Sequence, residues 1–258
     1  MDYNIKSVER AFEIVEALAL KSRLPSELSK QLNINKSTLH RFLFTLQDLG
    51  YVDKHSDNSF SLSQSFINLG VKAQNQYNIV AICKPYLLAL AEKFQESALL
   101  ATFNGYRCQY EDKMESSYAV RIVFDSGKTA PAHAVASGKV FLASLENERL
   151  HEYMESEHFT SYTKNTITDK DKLIAELSTI KRLGYAVDNE EYEIGLQGFA
   201  CPIKDADGKT IRTICLAGIA GRIKERNDPN DIVTALLKAS KEISTKMGYQ
   251  ASKSLLTL

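Results

Sequence analysis

Apolar residues recur at helical spacing through the first fifty positions. Val8, Ala11, Phe12, Ile14, Val15, Leu18 and Ala19 form one stripe over Ser7 to Leu20, with Glu9, Arg10, Glu13 and Glu16 on the other side. After the Lys21-Ser22-Arg23 break, Pro25 opens a short second helix through Leu28 and Leu32. Asn35 is positioned to cap a third, from about Lys36 to Leu49, and Gly50 to end it in a left-handed conformation. Tyr51-Val52 and Phe60-Ser61-Leu62 flank a polar turn, His55 to Ser59, and predict a hairpin.

Short helix, turn, longer helix and hairpin have the dimensions of a winged helix-turn-helix. The third helix packs through Leu39, Phe42, Leu43 and Leu46. Ser37, Arg41, Phe44 and Asp48 lie opposite that stripe, with His40 and Thr45 beside them. Arg41 suits bidentate contact with guanine and Phe44 contact with a thymine methyl, while Ser37 and His40 project from the base-reading half. Lys36, Thr38 and the helix N-terminus suit phosphate, as do Lys54 and His55 in the wing. A plain three-helix bundle with a solvated basic face fits the same periodicity.

Beyond the hairpin the pattern changes. Ser63 to Tyr77 is polar and weakly helical, followed by a more apolar helix over Ile79 to Gln95 in which Pro85 marks a kink or a start. Ala98 to Phe103, Cys108 to Tyr110, Tyr118 to Phe124, Gln197 to Ile203 and Ile211 to Ala220 read as strands, with Lys113 to Glu115 as a turn. Helices are expected over Ala134 to Leu145, Asn147 to Met154, Asp169 to Leu183 and Pro229 to Met247. The whole is an α+β chain: a winged helix-turn-helix over residues 1–63, a helical linker over 64–78, and a sensor-type antiparallel sheet with flanking helices over 79–258.

A chain of 258 residues with 44% hydrophobic and 25% charged side chains is an ordinary globular composition, and the length favours two domains. Net charge is zero, and residues 1–62 carry as many acidic as basic side chains. Leu28 to Gln47, however, holds Lys30, Lys36 and Arg41 and no acid, so positive charge concentrates on the surface expected to meet DNA. No apolar window is long enough for a membrane helix, the N-terminus lacks a signal-peptide layout, and Cys83, Cys108, Cys201 and Cys215 stand far apart, so free thiols in the cytoplasm are expected.

Catalytic motifs are not found. Gly127-Lys128-Thr129 has Ile122 where a phosphate-binding loop needs glycine. His40, His55, His133, His151 and His158 have no metal-ligand spacing, so no metal or cofactor is expected. Glu190, Glu191 and Glu193 read as solvated or backbone-binding carboxylates, and Cys201 and Cys215 as core thiols.

Val8-Glu9-Arg10-Ala11, Lys36-Ser-Thr-Leu-His-Arg-Phe-Leu43, His133-Ala-Val-Ala-Ser-Gly138-Lys139, Gly184-Tyr185 and Glu190-Glu191-x-x-x-Gly195-x-x-x-x-Ala200-x-Pro202 occur in this order. On them the chain resembles the IclR family of bacterial transcriptional regulators, from Val8 to Gly248. The resemblance implies a GAF-like effector-binding C-terminal domain and a homodimer or dimer-based tetramer on palindromic double-stranded operator DNA. It implies an effector pocket lined by Ala136, Ser137, Asp188, Cys201, Cys215 and Ala217. Cys215 and Ala217 replace hydroxyl side chains found in keto-acid-binding relatives, which turns the expectation from keto acids toward a sugar acid or an aromatic acid. The expected function is a regulator, more a repressor than an activator, of catabolic genes. The alternatives are a sensor or interaction module without DNA activity, and an enzyme whose helical unit only dimerises.

Overall fold

The structure is a computed structural model that describes residues 5–76, 78–123, 125 and 127–250. The chain divides after Asn78 into two units.

In the first unit, α1 (Lys6–Leu20) buries Ile14, Val15, Ala17 and Leu18. Val8 and Phe12, on the same sequence stripe, are 49% and 58% exposed, so the apolar stripe is wider than the buried face. α2 (Pro25–Gln31) starts at its proline, and the Glu27 carboxylate accepts the Leu24 N–H. Asn33 turns the chain with a left-handed φ of 51°. Asn35 then caps α3 (Lys36–Asp48): its side-chain oxygen accepts the Thr38 N–H at 2.8 Å and the Ser37 hydroxyl at 2.9 Å. Gly50, at φ 78°, closes that helix.

The wing follows. β1 (Val52–Lys54) pairs antiparallel with β2 (Phe60–Leu62), and the Arg23 backbone bridges to Phe60 on the other edge of β2. The Asp57 carboxylate accepts both the Ser59 hydroxyl (2.7 Å) and its N–H (2.9 Å), which holds its pKa below the ordinary carboxylate value. Ile14, Leu18, Leu28, Leu39, Leu43, Val52 and Phe60 form the core that joins helices to wing. α4 (Gln64–Gln76) completes the unit.

The second unit opens with α5 (Ile79–Phe94), which carries Pro85 inside the helix rather than at its start. β3 (Ser97–Phe103), β4 (Arg107–Met114) and β5 (Thr129–Pro131) follow, then a 3-10 turn at Ala132–Ala134. α6 (Ala136–Ser144), α7 (Asn147–Ser156) and α8 (Lys170–Leu183) come next. β6 (Ala186–Asn189), β7 (Leu196–Lys204), β8 (Thr210–Ile219), α9 (Ala220–Arg226) and α10 (Pro229–Lys246) end the described chain. The strands form one antiparallel sheet in the order β5-β4-β3-β8-β7-β6. Strand alternation sends Leu99, Ala101, Ala200, Cys215 and Ala217 toward α6, α7 and α8. It sends Leu100, Phe199, Cys201, Ile214 and Leu216 toward α5 and α10.

Gly138 sets how closely α6 meets the preceding turn. A Cβ there would stand 2.2 Å from the Ala132 carbonyl oxygen, so only glycine permits this approach.

Several expectations are corrected. Residues 118–123 form no strand, and Phe124 lies outside the described residues. The backbone of this segment is engaged by side chains instead: Arg222 donates to the Val120 carbonyl at 2.9 Å and Ser97 to that of Ile122 at 3.4 Å, while Tyr118 lies under the Arg222 guanidinium at 4.5 Å. Lys113 and Met114 are not a turn but the end of β4, where Met114 pairs with Ala98. Ala220 begins α9 rather than ending a strand. Among the described residues, no helix is long and apolar enough to cross a membrane, and no three His, Cys, Asp or Glu side chains cluster to hold a metal.

Candidate functional site

In the first unit, α3 buries Leu39 and Leu43 completely and leaves Lys36, Ser37, His40, Arg41, Phe44, Thr45 and Asp48 exposed, with Thr38 half-buried. The six residues named for nucleic-acid contact therefore lie on the first nine positions of one capped helix. Phe44 is 47% exposed and stacks on His40, with ring centroids 6.0 Å apart and planes at 26°. An aromatic ring held open to solvent beside Arg41 offers an apolar contact next to a bidentate donor, the pair of chemistries that base edges in a major groove reward. His55 of the wing holds Ser61 at 2.9 Å and is exposed.

In the second unit, the sheet face beneath α6 leaves a cavity of about 100 Å³. Ala136, Ser137, Asp188, Cys215 and Ala217 all line it. Cys201 does not. Its side chain is on the opposite face of β7, against α5 and α10, because it is one residue out of phase with Ala200. On this face β7 presents Leu196 and Gly198 to the cavity, and at Gly198 a Cβ would stand 3.7 Å from that of Asp188 and 3.9 Å from that of Ala136. Tyr110, Thr129 and Tyr192 also line the cavity, as does Ile122 in the segment tied down by Ser97 and Arg222. None of these was legible from local pattern. Gly198 alone had a signal, since it shares the phase of Ala200.

The cavity has two polar poles. One is the start of α6. Its N-cap, Val135, supplies no side-chain acceptor to the first turn, and the N–H groups there are left to other partners. Ser137 is 2% exposed, and its hydroxyl lies within hydrogen-bonding reach of Tyr110 and of the thiols of Cys108 and Cys215. The other pole is Asp188, which accepts the Glu191 N–H at 2.8 Å. Burial pushes its pKa up to about 7 against that hydrogen bond. Glu191 in turn accepts from the fully buried Lys139 at 2.6 Å, and burial raises its pKa as well. Burial also pushes up all four thiols, Cys215 to about 12, which leaves them poor nucleophiles.

A carboxyl whose pKa is raised on folding opposes the fold increasingly as pH rises from its ordinary value of 3.8 to about 7, and fully above that. Asp188→Asn is therefore expected to gain roughly 1–3 kcal/mol at pH 8 relative to its effect at pH 4. Urea unfolding at both pH values measures this, and an equal effect at the two would contradict it.

Family models match both units: the IclR helix-turn-helix domain over residues 7–56 and the C-terminal domain of bacterial IclR regulators over residues 71–245. The regulator KdgR of Dickeya chrysanthemi is 31% identical over 248 residues, covering 95% of this chain and 81% of its own. The transcriptional repressor IclR of Escherichia coli is 26% identical, covering 95% and 90%. The crystal structure of Thermotoga maritima IclR superposes with a TM-score of 0.61 at 28% identity, covering 95% of this chain and 100% of that one.

Proposed function

The chain belongs to the IclR family of bacterial transcriptional regulators and is a DNA-binding regulator; on that premise we propose that it represses catabolic genes and releases DNA when a small organic acid enters the cavity under α6. The observation that carries the reading is the face of α3, where Ser37, His40, Arg41 and Phe44 are exposed on a helix held by Asn35 and by the buried Leu39 and Leu43. Arg41 reads a base, Phe44 touches an apolar base edge, and Lys36, Thr38 and the start of α3 meet phosphate. The repressor sense is supported by relatives named as repressors in Escherichia coli, YiaJ and IclR. A dimer or a dimer-based tetramer on a palindromic operator would present two such helices to successive major grooves.

The cavity supports the acid. The open first turn of α6 and the buried Ser137 hydroxyl form an anion-binding end. Release then follows from different acid affinities of the DNA-bound and free conformations. Arg41→Ala tests the DNA face. It is expected to weaken binding to the DNA upstream of the chain's own gene by about 1–3 kcal/mol, with the fold unchanged by circular dichroism. Unchanged affinity would remove Arg41 from the interface.

A further inference from the structure

A second hollow lies at the far end of α6. The second half of that helix, the last turn of α8 and the paired ends of β7 and β8 surround a crevice of about 180 Å³. It is larger than the cavity beneath the first turn, at about 100 Å³, and above the ~150 Å³ of an apolar cavity that takes benzene. Its floor is aliphatic, made by Val140, Ala143, Ile180 and Pro202, and among the described residues that line it none is aromatic or acidic. Its polar groups are Lys181, Lys204, Ser144 and Thr210. The Ser144 hydroxyl already donates to the Phe141 carbonyl at 2.7 Å.

Lys204 pairs with Thr210 across the β7–β8 ladder, so the two side chains stand side by side at the crevice. The Tyr249 ring lies under the Lys204 ammonium at 5.3 Å and holds it at the rim. The neighbouring Asp205 is turned to its own loop, where its carboxylate accepts the Asp207 and Lys209 N–H groups. Thr210 carries the decisive feature: its hydroxyl oxygen is buried and has no hydrogen-bond partner. A buried hydroxyl left unpaired costs stability, and beside two cations the group that satisfies it is an anionic acceptor. We propose that this crevice is a second ligand site, which takes a monocarboxylate whose apolar body is about the size of a six-membered ring. The body rests on Val140, Ile180 and Pro202. The carboxylate sits between Lys181 and Lys204 and accepts the Thr210 hydroxyl. Because the floor is aliphatic, the ring need not be aromatic. The site stands independently of the cavity at the first turn, although both border the same nine-residue helix.

The experiment is NMR titration of the methyl-labelled full chain with benzoate, cyclohexanecarboxylate and, as a neutral control, benzyl alcohol. Both carboxylates are expected to shift the Ile180 methyl signals saturably and to leave those of Leu196 and Ala217, in the other cavity, in place. Both should bind roughly tenfold or more tighter than benzyl alcohol. Thr210→Val removes the hydroxyl and keeps its shape. It is expected to weaken both carboxylates roughly five- to tenfold and to raise the thermal midpoint of the ligand-free chain, since an unpaired buried oxygen is gone. Lys181→Gln, at an exposed position, is expected to weaken the carboxylates severalfold and benzyl alcohol not at all. Shifts confined to Leu196 and Ala217, or no saturable shift of Ile180 with either carboxylate, would overturn the proposal. Benzyl alcohol binding as tightly as benzoate, or carboxylate affinity indifferent to both Thr210→Val and Lys181→Gln, would overturn it as well.

Discussion

Lys139→Met is expected to destabilise the second unit by about 3–5 kcal/mol at pH 8. Lys139 is wholly buried in α6, with Glu191 at 2.6 Å and the half-exposed Glu176 at 3.6 Å. Methionine fills nearly the same space, so packing survives. What is lost is the cation that compensates the Glu191 carboxylate, which has one oxygen buried without any partner. Two companion measurements separate this from simple mispacking. The loss should shrink as pH falls, because without Lys139 the Glu191 pKa rises further and protonation removes the uncompensated charge. The double variant Lys139→Met, Glu191→Gln should recover a good part of the loss, since a neutral amide is far less costly to bury than a carboxylate. Urea unfolding at pH 5 and pH 8 reads both. A loss independent of pH, unrelieved by Glu191→Gln, would mean that the pair is not what holds α6 in place.

Leu39→Ala is expected to cost about 2–5 kcal/mol, the range for removing a fully buried leucine from a core that cannot close the void. Leu39 sits on the inner face of α3 among Ile14, Leu28, Leu43 and Phe60. The first unit is small, and small cores leave little margin, so a loss of this size unfolds much of it. DNA binding should fall accordingly, whereas Arg41→Ala loses binding with the helix intact. Thermal unfolding followed by circular dichroism would show an early transition in Leu39→Ala that the parent chain lacks. If DNA binding survived in that variant, α3 would not be the reading element.

The legibility of the fold follows the range of the forces involved. α1, α2, α3 and the wing are written locally, by a 3.6-residue period, the Asn35 cap, the left-handed Gly50 and an Asp-Asn turn, so their placement followed from the residues. β3, β7 and β8 were legible as apolar runs. β5 and β6, with three and four residues, were not: they exist as edge strands because β4 and β7 offer backbone partners. Tyr118 to Val123 alternates like a strand, yet its carbonyls are taken by Arg222 and Ser97, residues far away in sequence. Pro85 sits within α5 because Cys83, Leu87, Leu90 and Phe94 bury that helix against the sheet, which outweighs one missing backbone bond.

The site divides the same way. The face of α3 follows from helical phase alone. Ala136, Ser137, Asp188, Cys215 and Ala217, which the resemblance implies, line one cavity, whereas Cys201 is out of phase on β7 and faces α5 and α10. Tyr110 and Tyr192 reach the cavity only through sheet pairing and the turn after β6, which no local pattern encodes.

Titration of the full chain onto the DNA upstream of its own gene, against a scrambled duplex of equal length and at two salt concentrations, tests the central claim most directly. The exposed face of α3 predicts tight binding to the natural duplex, at least tenfold weaker binding to the scrambled one, and loss of affinity for both as salt rises. Equal affinity for the two duplexes, or binding indifferent to salt, would contradict it.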